Sequence, residues 1–295
     1  MNNNRAIGIT SLVFAALFFS LWGIFPRWIG LNFGIFFQSL ARSSIILPLL
    51  AAVLFFSRKK WQSLAWRDYL WILAMSCFGF MSAIFFFVAI NHLAVGLTYL
   101  TFYAVATLAS FAIGYLIFGE KFSLIKIIAL IICLIGLALI FSGAAFDGDL
   151  RFLIIAAFSG IGGAGWNVFS KKVSSKYSLL QITIIDYLNF FVLGLSAVLI
   201  SAEPILWPDF SLPWLATAAF SVVVLAAAFL IFNGFRHLPV QTGSLLMLLE
   251  PVFAVILGWQ VFQETISLNI LTGGGADPTG RCPAKYLKKQ SLGLC

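Results

Sequence analysis

A chain of 295 residues that is 62% hydrophobic and 9% charged, with 32 Phe, carries more apolar surface than a soluble domain of that length can bury. It reads as an all-α polytopic membrane protein. The net charge of +8 would suggest nucleic acid in a soluble protein, but the basic residues fall in short corners between apolar runs. The expected surroundings are a lipid bilayer, with no nucleic acid partner.

Met1–Arg5 followed by an apolar run imitates a signal peptide, but further runs follow at once, so the first helix is read as uncleaved. The runs lie at about 7–26, 32–56, 68–90, 94–118, 122–142, 150–169, 179–201, 212–235 and 240–262, nine spans joined by short corners. Trp22 sits late in the first span. Gln38 and Arg42, four apart, share a face of the second. Tyr99, Tyr103, Thr107 and Ser110 form a polar stripe down the fourth, although Ser and Thr in membrane helices commonly bond backbone carbonyls or neighbouring helices. Gly160, Gly162, Gly163 and Gly165 read as a close-packing face of the sixth span, which ends near Trp166 and Asn167. Both Trp22 and Trp166 fit either a ligand site or an interface anchor. On the seventh span Thr183, Asp186, Tyr187 and Phe190 share a face, with Asn189 beside them.

The ninth span carries Glu250 and Pro251 side by side in its middle. A carboxylate at that depth costs roughly 2.5–3.5 kcal/mol, so it faces a bundle interior or a wet cavity. It reads either as part of a transport pathway, with protons as its partner, or as a structural partner of a buried base. Pro251 lacks an N–H, which leaves the Met247 carbonyl without its helical donor and predicts a kink.

Orientation follows from the corners. With the N-terminus inside, the inner corners hold Arg5, then Arg58, Lys59, Lys60 and Arg67, then Lys121 and Lys126. Lys171, Lys172, Lys176 and Arg236 complete that side. The outer corners hold Arg27 and Arg151 with Asp147, Asp149, Glu203 and Asp209. This bias predicts a multi-pass protein of the cell (inner) membrane with a cytoplasmic N-terminus.

Sliding the chain on itself by 144 positions aligns Trp22 with Trp166, Phe25 with Phe169, Arg27 with Lys171, Arg42 with Asp186 and Glu120 with Glu264. Five spans per repeat is an odd number, so the second copy inserts upside down, and the charges agree: Arg27 falls outside and Lys171 inside. Inverted repeats about an axis in the membrane plane are a secondary-transporter architecture, with the site where the halves meet. The axis exchanges Arg42 and Asp186, which places them opposite each other across the cavity, neutralised directly or through a ligand.

The five-plus-five repeat, Trp22, Arg42, the Phe118-Gly119-Glu120 corner, Leu249-Glu250-Pro251 and the Gln263-Glu264 corner together resemble the drug/metabolite transporter (DMT) superfamily, in particular its EamA-like permeases. The likeness covers about residues 6–272 and implies a ten-helix carrier, with spans 1–4 and 6–9 lining a central cavity and spans 5 and 10 outside it. The domains are then 1–145, the first repeat; 146–272, the second, inverted repeat; and 273–295, an atypical polar tail. In that tail, glycines, Asp277, Pro278 and Arg281, Lys285, Lys288 and Lys289 stand where the first repeat has an apolar span. The tenth helix is therefore expected to be missing or replaced, as in a frameshifted or truncated end, with a genuine extracytoplasmic tail as the alternative.

The resemblance implies a secondary active exporter of small metabolites, amino acids or related amphipathic compounds, working by alternating access as a monomer or homodimer. The candidate substrate-binding residues are Trp22, Gln38, Arg42, Tyr99, Tyr103, Trp166, Asn167, Asp186 and Asn189, with Glu250 for proton coupling. The alternatives are an integral-membrane enzyme acting on lipid-linked substrates, or an inactive truncated permease. The enzyme reading needs clustered Asp, Glu or His; the chain has two His and no such cluster with ligand spacing. Cys77 and Cys133 lie in apolar runs and Cys282 and Cys295 in the tail, so no metal, cofactor or catalytic group is expected. No phosphate-binding loop of an ATP motor is present.

Overall fold

In lipid every backbone N–H and C=O must find its partner within its own segment, which turns each apolar run into a helix. The computed structural model describes residues 3–23, 25–29, 33–57, 61–93, 95–140 and 149–262, and all regular structure among them is helical. In chain order the helices are α1 (Asn3–Ser20), α2 (Phe25–Ile29), α3 (Ile35–Ser57), α4 (Trp66–His92), α5 (Val95–Phe118), α6 (Leu124–Ile140), α7 (Leu150–Ser174), α8 (Leu179–Ser201), α9 (Leu212–His237), α10 (Val240–Met247) and α11 (Leu249–Phe262). Six of them are long and apolar enough to cross a membrane, and shorter apolar helices occupy Asn4–Ser20, Leu124–Gly136 and Val240–Ala254. The protein is thus a multi-pass membrane protein. Arg58–Lys60, Asp147, the Gln263–Glu264 corner and the tail with its tenth-helix question lie outside the described residues.

Two spans differ from continuous rods, for one reason. The first ends its α-helix at Ser20, passes through a 3-10 turn at Leu21–Gly23 and resumes as α2. Pro26 has no amide to give the Trp22 carbonyl, four residues back, so the ladder breaks where Trp22 sits. The ninth span breaks between α10 and α11, where Pro251 withholds a donor from the Met247 carbonyl and Leu248 bonds back to Leu245 instead. Pro48 lies inside α3 without dividing it.

The packing comes in twins. α1 lies on α9 as α7 lies on α4; α3 lies on α9 as α8 lies on α4; α1 meets α10 and α11 as α7 meets α5; and α3 pairs with α8. Exchanging the two halves of the chain maps each of these contacts onto its twin, as a two-fold repeat does. Small residues set the closest approaches. A Cβ on Gly162 would stand 2.6 Å from the Phe78 carbonyl oxygen, and one on Gly160 would stand 2.6 Å from that of Phe102. The α7 glycines are therefore a packing face. Ser82 and Ser159 lock the same seam by donating to each other's carbonyls at 3.0 and 2.8 Å.

The two ends carry opposite charge. At the basic end Glu120 gathers α5, α7 and α10: its Oε1 accepts from Lys171 Nζ (3.0 Å) and Val240 N (2.6 Å), and its Oε2 from Gln241 N (3.1 Å). Nearby, Asp68 accepts from Lys176 (2.8 Å) and the Tyr177 hydroxyl (2.9 Å). The hydrogen bond to Asp68 raises Lys176 above the ordinary lysine value. At the opposite end Asp149 caps α7, and hydrogen bonds from Arg151 lower its carboxyl to about 2. Glu203 there accepts the amides of Phe36 (3.3 Å) and Phe37 (2.8 Å) at the start of α3.

Candidate functional site

A cavity lies between the halves, with an empty volume of about 1160 Å³, open solvent at its mouth included. Helices α1, α3–α5 and α7–α11 and the Leu21–Gly23 turn all reach it, whereas no described side chain of α6 does, and Leu124, Ile125 and Ile132 are exposed. Most of its wall is aliphatic or aromatic. The charges set into that wall are Arg42, Asp186 and Glu250.

Arg42, on α3, is 7% exposed. Its guanidinium carbon lies over three rings, at 5.2 Å from Trp22, 5.2 Å from Phe220 and 5.6 Å from Phe87. This aromatic cage attracts the cation through the faces of its rings but supplies no hydrogen-bond acceptor. Nη1 is buried and has no hydrogen-bond partner among the described residues, as is true of Trp22 Nε1 and Asn167 Oδ1 on the same wall. Buried polar atoms are nearly always paired, so two donors and an acceptor left over in one cavity mark where a polar ligand or water binds.

Asp186, on α8, has no exposed surface. Its Oδ1 accepts from Ser76 (2.7 Å) on α4, and its Oδ2 from Trp166 Nε1 (3.0 Å) on α7. Ser76 accepts in turn from Asn189 (3.1 Å), whose amide oxygen takes the Tyr69 hydroxyl (3.4 Å). Arg42 and Asp186 therefore line the same cavity; of the two expected routes to neutralisation, direct or through a ligand, the direct pair is absent among the described residues, with hydrogen bonds on Asp186 and an aromatic cage around Arg42. Glu250, in the first turn of α11 just past the break, is 8% exposed and faces the Tyr103 hydroxyl. No basic residue pairs with it among the described residues, so the buried-base reading of this carboxylate finds no partner.

Of the residues singled out in the sequence, Trp22, Arg42, Tyr99, Tyr103, Trp166, Asn167, Asp186 and Glu250 line the cavity, with Thr107 and Ser110 beside them. Gln38 does not reach it; its amide donates to the Phe33 carbonyl at 3.4 Å near the start of α3. Asn189 lies behind the wall, on Ser76. Thr183 bonds back to the Leu179 carbonyl at 2.8 Å. Trp22 and Trp166 are cavity residues, and the exposed indoles among the described residues are Trp28, Trp61, Trp66 and Trp207. Sequence reasoning missed Ser39, Ser43 and the cage rings Phe87 and Phe220. Among 32 Phe, nothing local distinguishes a ring on a cation from a ring in lipid.

The model of the EamA-like transporter family matches residues 6–142 and 150–276. An uncharacterized transporter of Archaeoglobus fulgidus is 29% identical over 205 residues, covering 69% of this chain and 72% of the relative. A solved crystal structure superposes with a TM-score of 0.76 at 18% identity, covering 91% of this chain and 93% of the other, a likeness of fold.

Proposed function

The chain belongs to the EamA-like transporter family, and from that premise we propose that this membrane transporter is a secondary active exporter of amino acids and related small amphipathic metabolites, working by alternating access through the central cavity. The observation that supports this reading is a caged Arg42, its Nη1 without a hydrogen-bond partner among the described residues, in one aromatic-walled cavity with two carboxylates. A zwitterion places its carboxylate on Arg42 and its ammonium on Asp186 or Glu250, with its apolar body on the rings. Trp22, Tyr99, Tyr103, Trp166 and Asn167 complete the proposed site, and Gln38 and Asn189 support it from outside the cavity.

The repeats 1–145 and 146–272 are the two halves that rock against each other. The two helix breaks, at Trp22 and Met247, both stand on the cavity wall, where a discontinuous backbone can adjust. By the positive-inside bias the Lys171 end is cytoplasmic, with the N-terminus, in the inner membrane of the cell. Glu250 is the proton-coupling candidate, and proton or substrate gradients supply the energy. The protein acts as a monomer or homodimer and catalyses no covalent chemistry.

The test is counterflow in proteoliposomes with a labelled amino-acid panel. Accumulation of apolar and aromatic amino acids, lost in Arg42→Ala, is the expected result. A flat panel from protein that reconstitutes normally would remove amino acids as the substrate class.

A further inference from the structure

Two carboxylates in one cavity are not equivalent as partners for a ligand's cation. Both oxygens of Asp186 are engaged, Oδ1 by Ser76 and Oδ2 by Trp166, and the residue is buried, with 0% of its surface exposed. Its two donors are themselves fixed. Asn189 donates to Ser76, and the Trp166 ring is wedged against Phe232 at 5.3 Å and edge-on to Phe19 at 6.1 Å. Glu250 keeps 8% of its surface exposed, lines the cavity, faces the Tyr103 hydroxyl and stands at a helix break.

A continuous row of rings joins that phenol to the cage of Arg42. Trp22, under the guanidinium, meets Phe86 edge-on at 6.5 Å, and Phe86 meets Tyr99 at 5.1 Å. Tyr99 then stacks on Tyr103 at 6.1 Å with an interplanar angle of 11°. Building on the proposed function, we infer that the ligand axis runs from Arg42 to Glu250 along this ring wall, with Glu250 receiving the ligand's ammonium. Asp186 is a positioning residue that pins the Trp166 indole and ties α4, α7 and α8 together. The substrate class this selects is a zwitterion with an apolar or aromatic body.

The experiment is equilibrium binding to the purified full chain with three probes: L-phenylalanine, hydrocinnamate, which lacks the ammonium, and phenethylamine, which lacks the carboxylate. Wild type prefers phenylalanine to hydrocinnamate by about tenfold or more, the scale of one charge-assisted hydrogen bond. Glu250→Gln abolishes that preference, and Glu250→Asp, which keeps the charge, retains part of it. Asp186→Asn weakens all three probes alike and leaves the preference standing, as does Trp166→Phe. The indole N–H resonance of Trp166 shifts in Asp186→Asn and stays put in Glu250→Gln. Loss of the preference in Asp186→Asn, or its survival in Glu250→Gln, overturns the assignment while leaving the transporter reading intact. Wild-type protein that binds none of the three overturns the amino-acid reading itself, and this inference with it.

Discussion

Lys171, near the end of α7, donates to Glu120 Oε1 across 3.0 Å, and the same oxygen receives the Val240 amide that opens α10. One carboxylate thereby neutralises a lysine, caps a helix and ties the two halves together at the basic end. Both side chains are largely buried, at 22% and 11% exposed, so the pair is shielded from the screening that weakens surface ion pairs.

Glu120→Gln should therefore cost about 1.5–3 kcal/mol, the range for hydrogen bonds to a charged group. Thermal unfolding of the purified protein reads this as a lower Tm. An unchanged Tm would show that the α10 amides find another acceptor.

Arg42→Ala should abolish transport with normal membrane insertion. Arg42→Lys keeps the charge but gives up the guanidinium held among the Trp22, Phe220 and Phe87 rings, and should weaken ligand binding by about 2 kcal/mol. Full affinity in the lysine variant would mean that the cage contributes nothing beyond charge.

Gly162→Ala should destabilise by about 1–3 kcal/mol, because its new methyl meets the Phe78 carbonyl at 2.6 Å and the Ser82 amide nitrogen at 2.8 Å, backbone atoms that cannot yield. Gly136→Ala, with nothing within reach on exposed α6, should be neutral or stabilising by up to about 1 kcal/mol. Equal effects at the two positions would contradict the packing-face reading.

The charge asymmetry predicts that a cysteine at Lys121 is labelled only from the cytoplasmic side, and one at Asp209 only from the opposite side, with both native positions exposed. Labelling of both from one side would remove the inverted-repeat argument.

Replacing Glu250 with Gln should leave insertion intact and flatten the pH dependence of transport. An unaltered pH profile would move Glu250 from coupling to a purely binding or structural role.

The sequence by itself determined the class, the nine apolar runs and the register between the halves. Lipid allows only self-satisfied backbone, so hydropathy maps directly onto helices, and a repeat leaves its trace in matched Trp22 and Trp166. Pro251 announced its break because a missing N–H is a local fact; Pro26 carried the same signal and broke the first span at Trp22. Tertiary structure alone decided which polar groups meet. Gln38 and Arg42 share a helical face, yet only Arg42 reaches the cavity, because which part of that face borders it is set by the neighbours of α3. Asp186 and Glu250 look alike as intramembrane carboxylates. Only the packing of α4 and α7 brings Ser76 and Trp166 onto the oxygens of Asp186, while α5 sets the Tyr103 hydroxyl before Glu250.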